Sequence, residues 1–399
     1  MMKVLHVCDY YQPLGGTEQY LISLSRELEN LGYKIAVIYG LKTQNTLKIG
    51  GRGEYFLPAI DETGILDKAT EKKLEDIVHE ENPDIVYIHN VSNFSIIQKL
   101  STLKPAVRFV HDHRPFCPKG DKLLKRTDRI CDYPVGISCF TNAYLNRCLP
   151  RNPLSTIKLI RMKTKEIKAN QRIKLIVASN YMKNCLSQNG FSPHDIEILP
   201  YYCGNFHENK DLDCNSFILY VGRAAENKGI QFLPSVLKEL PKKLKLVIIG
   251  GGGYITKIKS LAKDLELENR IDFLGAISHD QISQYYKRCL ALIVPSIWPE
   301  PFGIVGIEAM SYGKPIIAFD VGGIGDWLKN GENGFLVERE NINQLVEKIQ
   351  ILLNNRDLCM KMGNSARSIF KNKYTKEQHI KKLLNIFDET ITARNEKTH

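Results

Sequence analysis

Leu290-Ala-Leu-Ile-Val-Pro-Ser-Ile-Trp-Pro-Glu300-Pro-Phe-Gly-Ile-Val-Gly-Ile-Glu308 is the stretch from which the fold is read. Its first five residues form an apolar run that predicts a buried strand. Pro299, Pro301 and Gly303 cannot belong to an uninterrupted helix, so Glu300 is placed on a loop, and Ile304 to Ser311 begins a helix carrying Glu308. A loop that feeds backbone N–H groups into a helix N-terminus is an anion site, and carboxylates beside it accept hydrogen bonds from hydroxyls. Phosphate plus polyol suggests a nucleotide sugar. Taken alone, two carboxylates near a helix start are also what the helix dipole and solvation favour, so the remainder of the chain has to decide between the readings.

Working outward, short β-branched runs alternate with helical patterns. They are Lys3 to Val7, Lys34 to Tyr39, Ile85 to His89, Ala106 to Val110, Leu175 to Ala178 and Ile196 to Leu199. That is the rhythm of parallel strands joined by crossover helices. Leu21, Leu24, Leu28 and Leu31 recur at helical spacing and Gly32 supplies the stop. Residues 205–216 are polar and without periodicity and are assigned as a linker. A second series follows: Phe217 to Val221, Leu244 to Ile249, Ile271 to Leu274, Leu290 to Val294, Pro315 to Phe319 and Phe335 to Val337. Two doubly wound, Rossmann-like α/β domains are predicted, 1–204 and 217–375, with ligands at the carboxyl ends of the strands. Residues 376–399 are expected to be a terminal helix.

The composition, 43% hydrophobic and 25% charged over 399 residues, is that of a globular protein with room for two cores. No apolar run approaches the roughly 20 residues that span a bilayer. Met1-Met2-Lys3 leads straight into the first strand, so no cleavable leader is expected and the expected location is the cytoplasm, where the ten cysteines would be reduced thiols. The net charge of +11 favours anionic partners. Residues 151–174 hold eight Lys or Arg against one Glu, interleaved with Leu154, Ile157, Ile160 and Ile167. This pattern fits either an anionic membrane surface at the inner face of the plasma membrane or a solvated helix face. No aromatic residue interrupts the run, which argues against nucleic acid bound by base stacking.

The segment from Glu300 to Glu308, with Pro301-Phe302-Gly303 and Glu308-Ala309-Met310, resembles the E-x7-E signature of retaining glycosyltransferases of family 4 (glycosyl transferases group 1), which have the two-domain GT-B fold. The resemblance implies two domains facing a central cleft, with the terminal helix crossing back to the first. Gly222-Arg223 and Lys228-Gly229 are similar to the family's G-R-x-x-x-x-K-G word, which implies that Arg223 and Lys228 bind the donor phosphates and stabilise the leaving diphosphate. Glu300, with the backbone of Phe302, Gly303 and Ile304, would hold donor-sugar hydroxyls, and Glu308 the ribose. Gly250, in the run Gly250 to Gly253, would line the nucleotide pocket. Gln12-Pro-Leu-Gly15-Gly16-Thr17-Glu18 resembles the family's G-G loop and would meet the donor phosphates, with Thr17 as a helix cap. His111, in His111-Asp112-His113, inherits a place beside the transferred sugar, and His89-Asn90 would face the acceptor. Val321-Gly322-Gly323-Ile324-Gly325-Asp326 departs from the family's G-G-x-x-E word and reads as a structural turn.

The implied activity is retaining, metal-independent hexosyl transfer from a UDP-sugar, or a GDP-sugar, to a glycan or lipid-linked acceptor in cell-surface polysaccharide or glycolipid synthesis. No cofactor is required for this chemistry. Asp211 and Asp213 spell D-x-D but lie in the linker, not at a strand end. Cys117, Cys131, Cys139 and Cys148 fall within a loop-rich insert, 114–150. Four soft ligands suit structural zinc, yet no C-x-x-C knuckle is present, so a metal clip and a packed thiol cluster both fit. Two other functions share these features: a nucleotide-sugar epimerase of the same fold, and a non-catalytic sugar-nucleotide or glycan-binding protein.

Overall fold

The computed structural model describes residues 2–11, 15–41, 53–60, 66–204 and 217–396. The chain divides into two compact units, Met1–Pro200 with Ile380–His399, and Tyr201–His379.

The first unit is built on β1 (Lys3–Tyr10), β2 (Lys34–Leu41), β3 (Gly53–Phe56), β4 (Ile85–Ile88), β5 (Ala106–Phe109), a small hairpin of β6 (Leu123–Leu124) and β7 (Arg129–Ile130), β8 (Lys174–Val177) and β9 (Ile196–Ile198). Seven of these strands form one parallel sheet in the order β3-β2-β1-β4-β5-β8-β9. Helices on both faces bury the strands, so β1 and β4 read as continuous apolar runs rather than alternating ones. The edge strand β3 escapes prediction because Gly53-Glu-Tyr-Phe56 is short and only half-buried, with no apolar run to mark it.

The second unit repeats the plan with β10 (Phe217–Val221), β11 (Lys245–Ile249), β12 (Ile271–Gly275), β13 (Ala291–Val294), β14 (Ile316–Phe319) and β15 (Gly334–Val337). Their order is β12-β11-β10-β13-β14-β15, all parallel. The first strand of each unit therefore has its second strand on one side and its fourth on the other. Chain direction reverses there, and the loops leaving β10 and β13 diverge to open a crevice at their carboxyl ends.

The linker assigned to 205–216 lies outside the described residues. The change of unit falls at Pro200–Tyr201, not after residue 204. Tyr201 packs edge-on to Phe302, and the Cys203 thiol donates to the Ile307 carbonyl, which ties this segment to the second unit. The terminal helix runs Lys376–Glu396, and its residues from Ile380 onward belong to the first unit. Phe387 is fully buried and sets its ring 5.2 Å from Tyr87, edge to face. Arg394 donates to the carbonyls of Ser101 and Thr102, at 2.8 and 2.6 Å, in the last turn of the helix Phe94–Leu103. Those carbonyls have no intrahelical partner.

Docking of the terminal helix is thus a core contact. Phe387→Ala should destabilise the first unit by about 3–5 kcal/mol, read as an earlier denaturant midpoint. A loss of less than about 1 kcal/mol would mean that the helix only rests on the surface.

Candidate active site

The loop after β13 carries Ser296 and Glu300, and the turn after β10 carries Arg223 and Lys228, so the switch point of the second sheet brings these four to one crevice. Glu300 is 5% exposed. Its Oε1 accepts from Lys228 Nζ at 2.6 Å and from the Ser296 hydroxyl at 2.6 Å. Burial alone would raise the Glu300 carboxyl, but the Lys228 ammonium and the hydrogen bonds outweigh it and hold the group below the usual carboxylate range. Glu300 is therefore ionised. The Lys228 ammonium also sits 5.0 Å from the centre of the Trp298 ring. Arg223 is exposed and has no carboxylate partner among the described residues. The Tyr220 hydroxyl, which donates to the Arg223 carbonyl, feels both Glu300 and Arg223.

Sequence reasoning gave Lys228 and Glu300 separate ligands, phosphate and sugar. The structure pairs them with each other. It also gives the Gly322-Gly323 turn a larger part than a bare turn. Gly323 N–H donates to the Glu300 carbonyl at 2.6 Å, and Gly322, at φ +59°, lies so close that any Cβ would run into the Glu300 backbone. The next residues form the short helix Ile324–Trp327, whose Trp327 indole donates to the Phe302 carbonyl at 2.6 Å. The Trp327 ring fills the place of the missing Cβ of Gly306. The Glu300 loop is thus fixed from behind by a buried aromatic wedge that the motif reading did not find.

The helix carrying Glu308 runs Ile304–Ser311, as predicted. It starts at Gly303 with φ +88°, and no side chain caps it. The first amides of the turn are therefore available to an anion. Phe302 contributes differently from the expectation: its ring is 1% exposed, packed against Tyr201 and Tyr374, and its carbonyl is taken by Trp327. Glu308 accepts from the Tyr286 hydroxyl at 2.9 Å, which fixes its rotamer. Gly250 supports the site rather than opening to it. Its N–H donates to the Gly275 carbonyl, and the Gly222 carbonyl occupies its side-chain position, leaving open space only at Gly251 and Gly253.

In the first unit, Gln12, Pro13 and Leu14 lie outside the described residues. Gly15 is the N-cap of the helix Gly16–Asn30 and no side chain caps it, so Thr17 sits inside the helix and is not the cap. Glu18, in the first turn, sets its carboxylate against Gly15, with Oε2 2.8 Å from the place a Cβ on Gly15 would take, and burial raises its carboxyl.

His111 belongs to a ladder. Its Nε2 lies 3.0 Å from His89 Nδ1, and His89 Nε2 lies 3.2 Å from His6 Nδ1. The rings of His89 and His111 stack, and Phe109 stacks on His111 at 4.3 Å. Burial, reinforced by neighbouring charge, pushes His89 and His111 well below the usual imidazole range, so both are neutral at physiological pH. His6 was missed because it falls mid-strand in β1 and reads as an interruption of an apolar run.

Asp9 was missed for the same reason. It is 3% exposed, 3.4 Å from Arg114, which also binds Asp112 at 2.7 Å. Burial, only partly offset by Arg114, pushes Asp9 up to about 6.

Cys117, Cys131, Cys139 and Cys148 line one small pocket under the β6–β7 hairpin. They are free thiols, and burial raises Cys131, Cys139 and Cys148, the last to about 11. Among the described residues no three His, Cys, Asp or Glu side chains are grouped closely enough to hold a metal ion.

The raised Asp9 group has a pH signature. Its folded value of about 6 exceeds its ordinary 3.8, so its contribution is favourable below about pH 4 and is lost as pH rises through 6. Asp9→Asn removes that loss. The stability advantage of the variant over the parent should grow by up to about 3 kcal/mol between pH 4 and 6.5 and then level off. A difference independent of pH would contradict the assignment.

The family model described as Glycosyl transferases group 1 matches residues 206–369, and that described as Glycosyltransferase Family 4 matches residues 14–201. The uncharacterized glycosyltransferase MJ1178 of Methanocaldococcus jannaschii is 34% identical over 220 residues, 54% of this chain and 59% of that protein. The poly(ribitol-phosphate) alpha-N-acetylglucosaminyltransferase of Staphylococcus aureus is 30% identical over 207 residues, 50% of this chain and 41% of that protein. These matches span about half the length of the relatives. Among solved structures, Anabaena Alr3699/HepE in complex with UDP superposes with a TM-score of 0.74 at 18% identity, over 97% of this chain and 100% of that one. At that identity the likeness speaks to fold alone. Two family models in tandem, and two parallel sheets of the same strand order, place the chain in the family 4, group 1 glycosyltransferases with the GT-B fold.

Proposed function

We propose that the chain transfers a hexose from a nucleoside-diphosphate sugar, a UDP-sugar before a GDP-sugar, to a glycan or lipid-linked acceptor in cell-surface polysaccharide or glycolipid synthesis. The observation that carries this reading is the buried Lys228–Glu300–Ser296 cluster beside the uncapped amides at Gly303. It sets hydroxyl acceptors and anion donors side by side, which is the chemistry of a sugar diphosphate. The UDP bound to the Anabaena protein and the poly(ribitol-phosphate) in the name of the Staphylococcus relative support the donor and the acceptor class.

In this reading Arg223 and Lys228 meet the diphosphate, and Lys228 keeps Glu300 as it does so, since an ammonium has three donors. Glu300 accepts from sugar hydroxyls and Glu308 from the ribose. Transfer retains configuration: the bond from the anomeric carbon to the diphosphate breaks as the acceptor oxygen bonds on the same face, and the acceptor proton passes to the departing phosphate. Arg223, Lys228 and the Gly303 amides stabilise charge that grows on the phosphate only as it leaves. His111 presents a neutral imidazole to the sugar, a hydrogen-bonding group rather than a cation. No metal takes part.

Calorimetric titration separates the roles. UDP should bind Glu300→Gln about as well as the parent, while the extra affinity of UDP-glucose over UDP falls about tenfold. Glu308→Gln should weaken UDP itself by about tenfold or more. EDTA should change neither result, and GDP should bind less tightly than UDP. Equal losses for UDP and UDP-glucose in both variants would overturn the division, and conversion of free UDP-glucose without acceptor would mark an epimerase instead.

A further inference from the structure

Of the seven large apolar side chains exposed among the described residues, six lie within one stretch of 25 residues: Tyr133, Ile137, Tyr144, Leu145, Leu154 and Ile157. Ile137 is 89% exposed, Leu154 79% and Leu145 60%. Single exposed apolar residues need no explanation, but a concentration of this kind marks an interaction surface.

The helix Ile137–Leu145 turns its apolar side outward. Its exposed positions are Ile137, Thr141, Tyr144 and Leu145, none of them charged, while Asn142 and Ala143 are buried. The adjoining helix Pro153–Asn170 exposes Leu154 and Ile157 at its start, then Lys158, Arg161, Lys165 and Lys168 along the same side. Its buried side holds Ile167, so the apolar stripe expected along 151–174 does not face outward as a whole. Only its first turn does, and Tyr133 and the shorter helix supply the remaining apolar surface. No Asp or Glu occurs between Asp132 and Glu166, against six Lys or Arg. Glu166 itself is buried, tied to Arg108 and Lys163. Arg147, Arg151, Lys158, Arg161, Lys165 and Lys168 have no carboxylate partner among the described residues.

We propose that this apolar tip, with its cationic flank, docks on an anionic phospholipid bilayer, the tip entering the headgroup boundary and the flank lying on the lipid phosphates. Apolar burial and charge attraction then act together. No helix among the described residues is long and apolar enough to cross a membrane, so the attachment is interfacial. A second copy of the chain fits less well, because a two-fold contact would set like-charged flanks together. Inner-side residues of the same helix, Leu159, Met162 and Lys163, line a cavity of about 280 Å³ shared with Arg108 and His111. Docking itself does not rest on the proposed transfer reaction, and its test uses no sugar donor.

The full chain is sedimented with phosphatidylcholine vesicles, with and without phosphatidylglycerol. Two variants with unchanged melting are compared: Ile137→Ser with Leu145→Ser and Leu154→Ser, and Lys158→Glu with Arg161→Glu. A Leu145→Trp variant is read for quenching by lipids brominated on the acyl chain. Binding should require phosphatidylglycerol, weaken with salt, fall about tenfold or more in each variant, and quench the introduced Trp. Three results would overturn the proposal. They are no preference for phosphatidylglycerol, binding by the serine variant equal to the parent without Trp quenching, as for simple polyanion adsorption, or a lipid-free dimer that the serine variant dissolves.

Discussion

A carboxylate cannot be buried without a counter-charge, and the second unit is arranged around meeting that requirement at Glu300. Removing an ion from water costs several kcal/mol, which Lys228 and Ser296 offset through one shared oxygen. The pair can form only because β10 and β13 are neighbours, which follows from the strand order. The loop that presents Glu300 is in turn held by Gly323 on its carbonyl and by Trp327 on the carbonyl of Phe302. Residues with no part in binding thus determine where the carboxylate points, and a ligand meets a site whose charge is already set.

The first unit uses burial to the opposite end. Where the second unit keeps a buried group charged, the first holds His89 and His111 neutral and Asp9 reluctant to ionise. The basic helix Pro153–Asn170 joins these themes, since its inner side is pinned to the sheet by the Arg108–Glu166 pair while its outer side is cationic.

Much of the fold was legible because parallel strands buried on both faces advertise themselves as apolar runs. All six strands of the second unit and six of the seven in the main sheet of the first follow from that signal. Gly53–Phe56 does not, being a half-buried edge. The site was legible as a set of residues but not as a set of contacts. Proline and glycine spacing locates Glu300 on its loop, yet nothing in spacing says that Lys228, 72 positions away, bonds to it. Trp327 and His6 were invisible for a related reason. A buried tryptophan or a histidine within a strand looks like core until its partner is known, and partners come from tertiary packing. The Gly15 loop shows the reverse error, where Thr17 reads as a helix cap and the cap position is Gly15 itself.

The central claim is that Lys228 and Glu300 act as one unit toward the donor. A double-mutant cycle on UDP-glucose affinity, with Lys228→Met, Glu300→Gln and the two combined, tests it most directly. If the pair is one unit, each single change leaves its partner mispaired, and the double variant loses clearly less affinity than the product of the two single losses, a coupling of about 1–3 kcal/mol. Losses that multiply without coupling would mean that each residue meets its part of the ligand independently and that their contact is incidental.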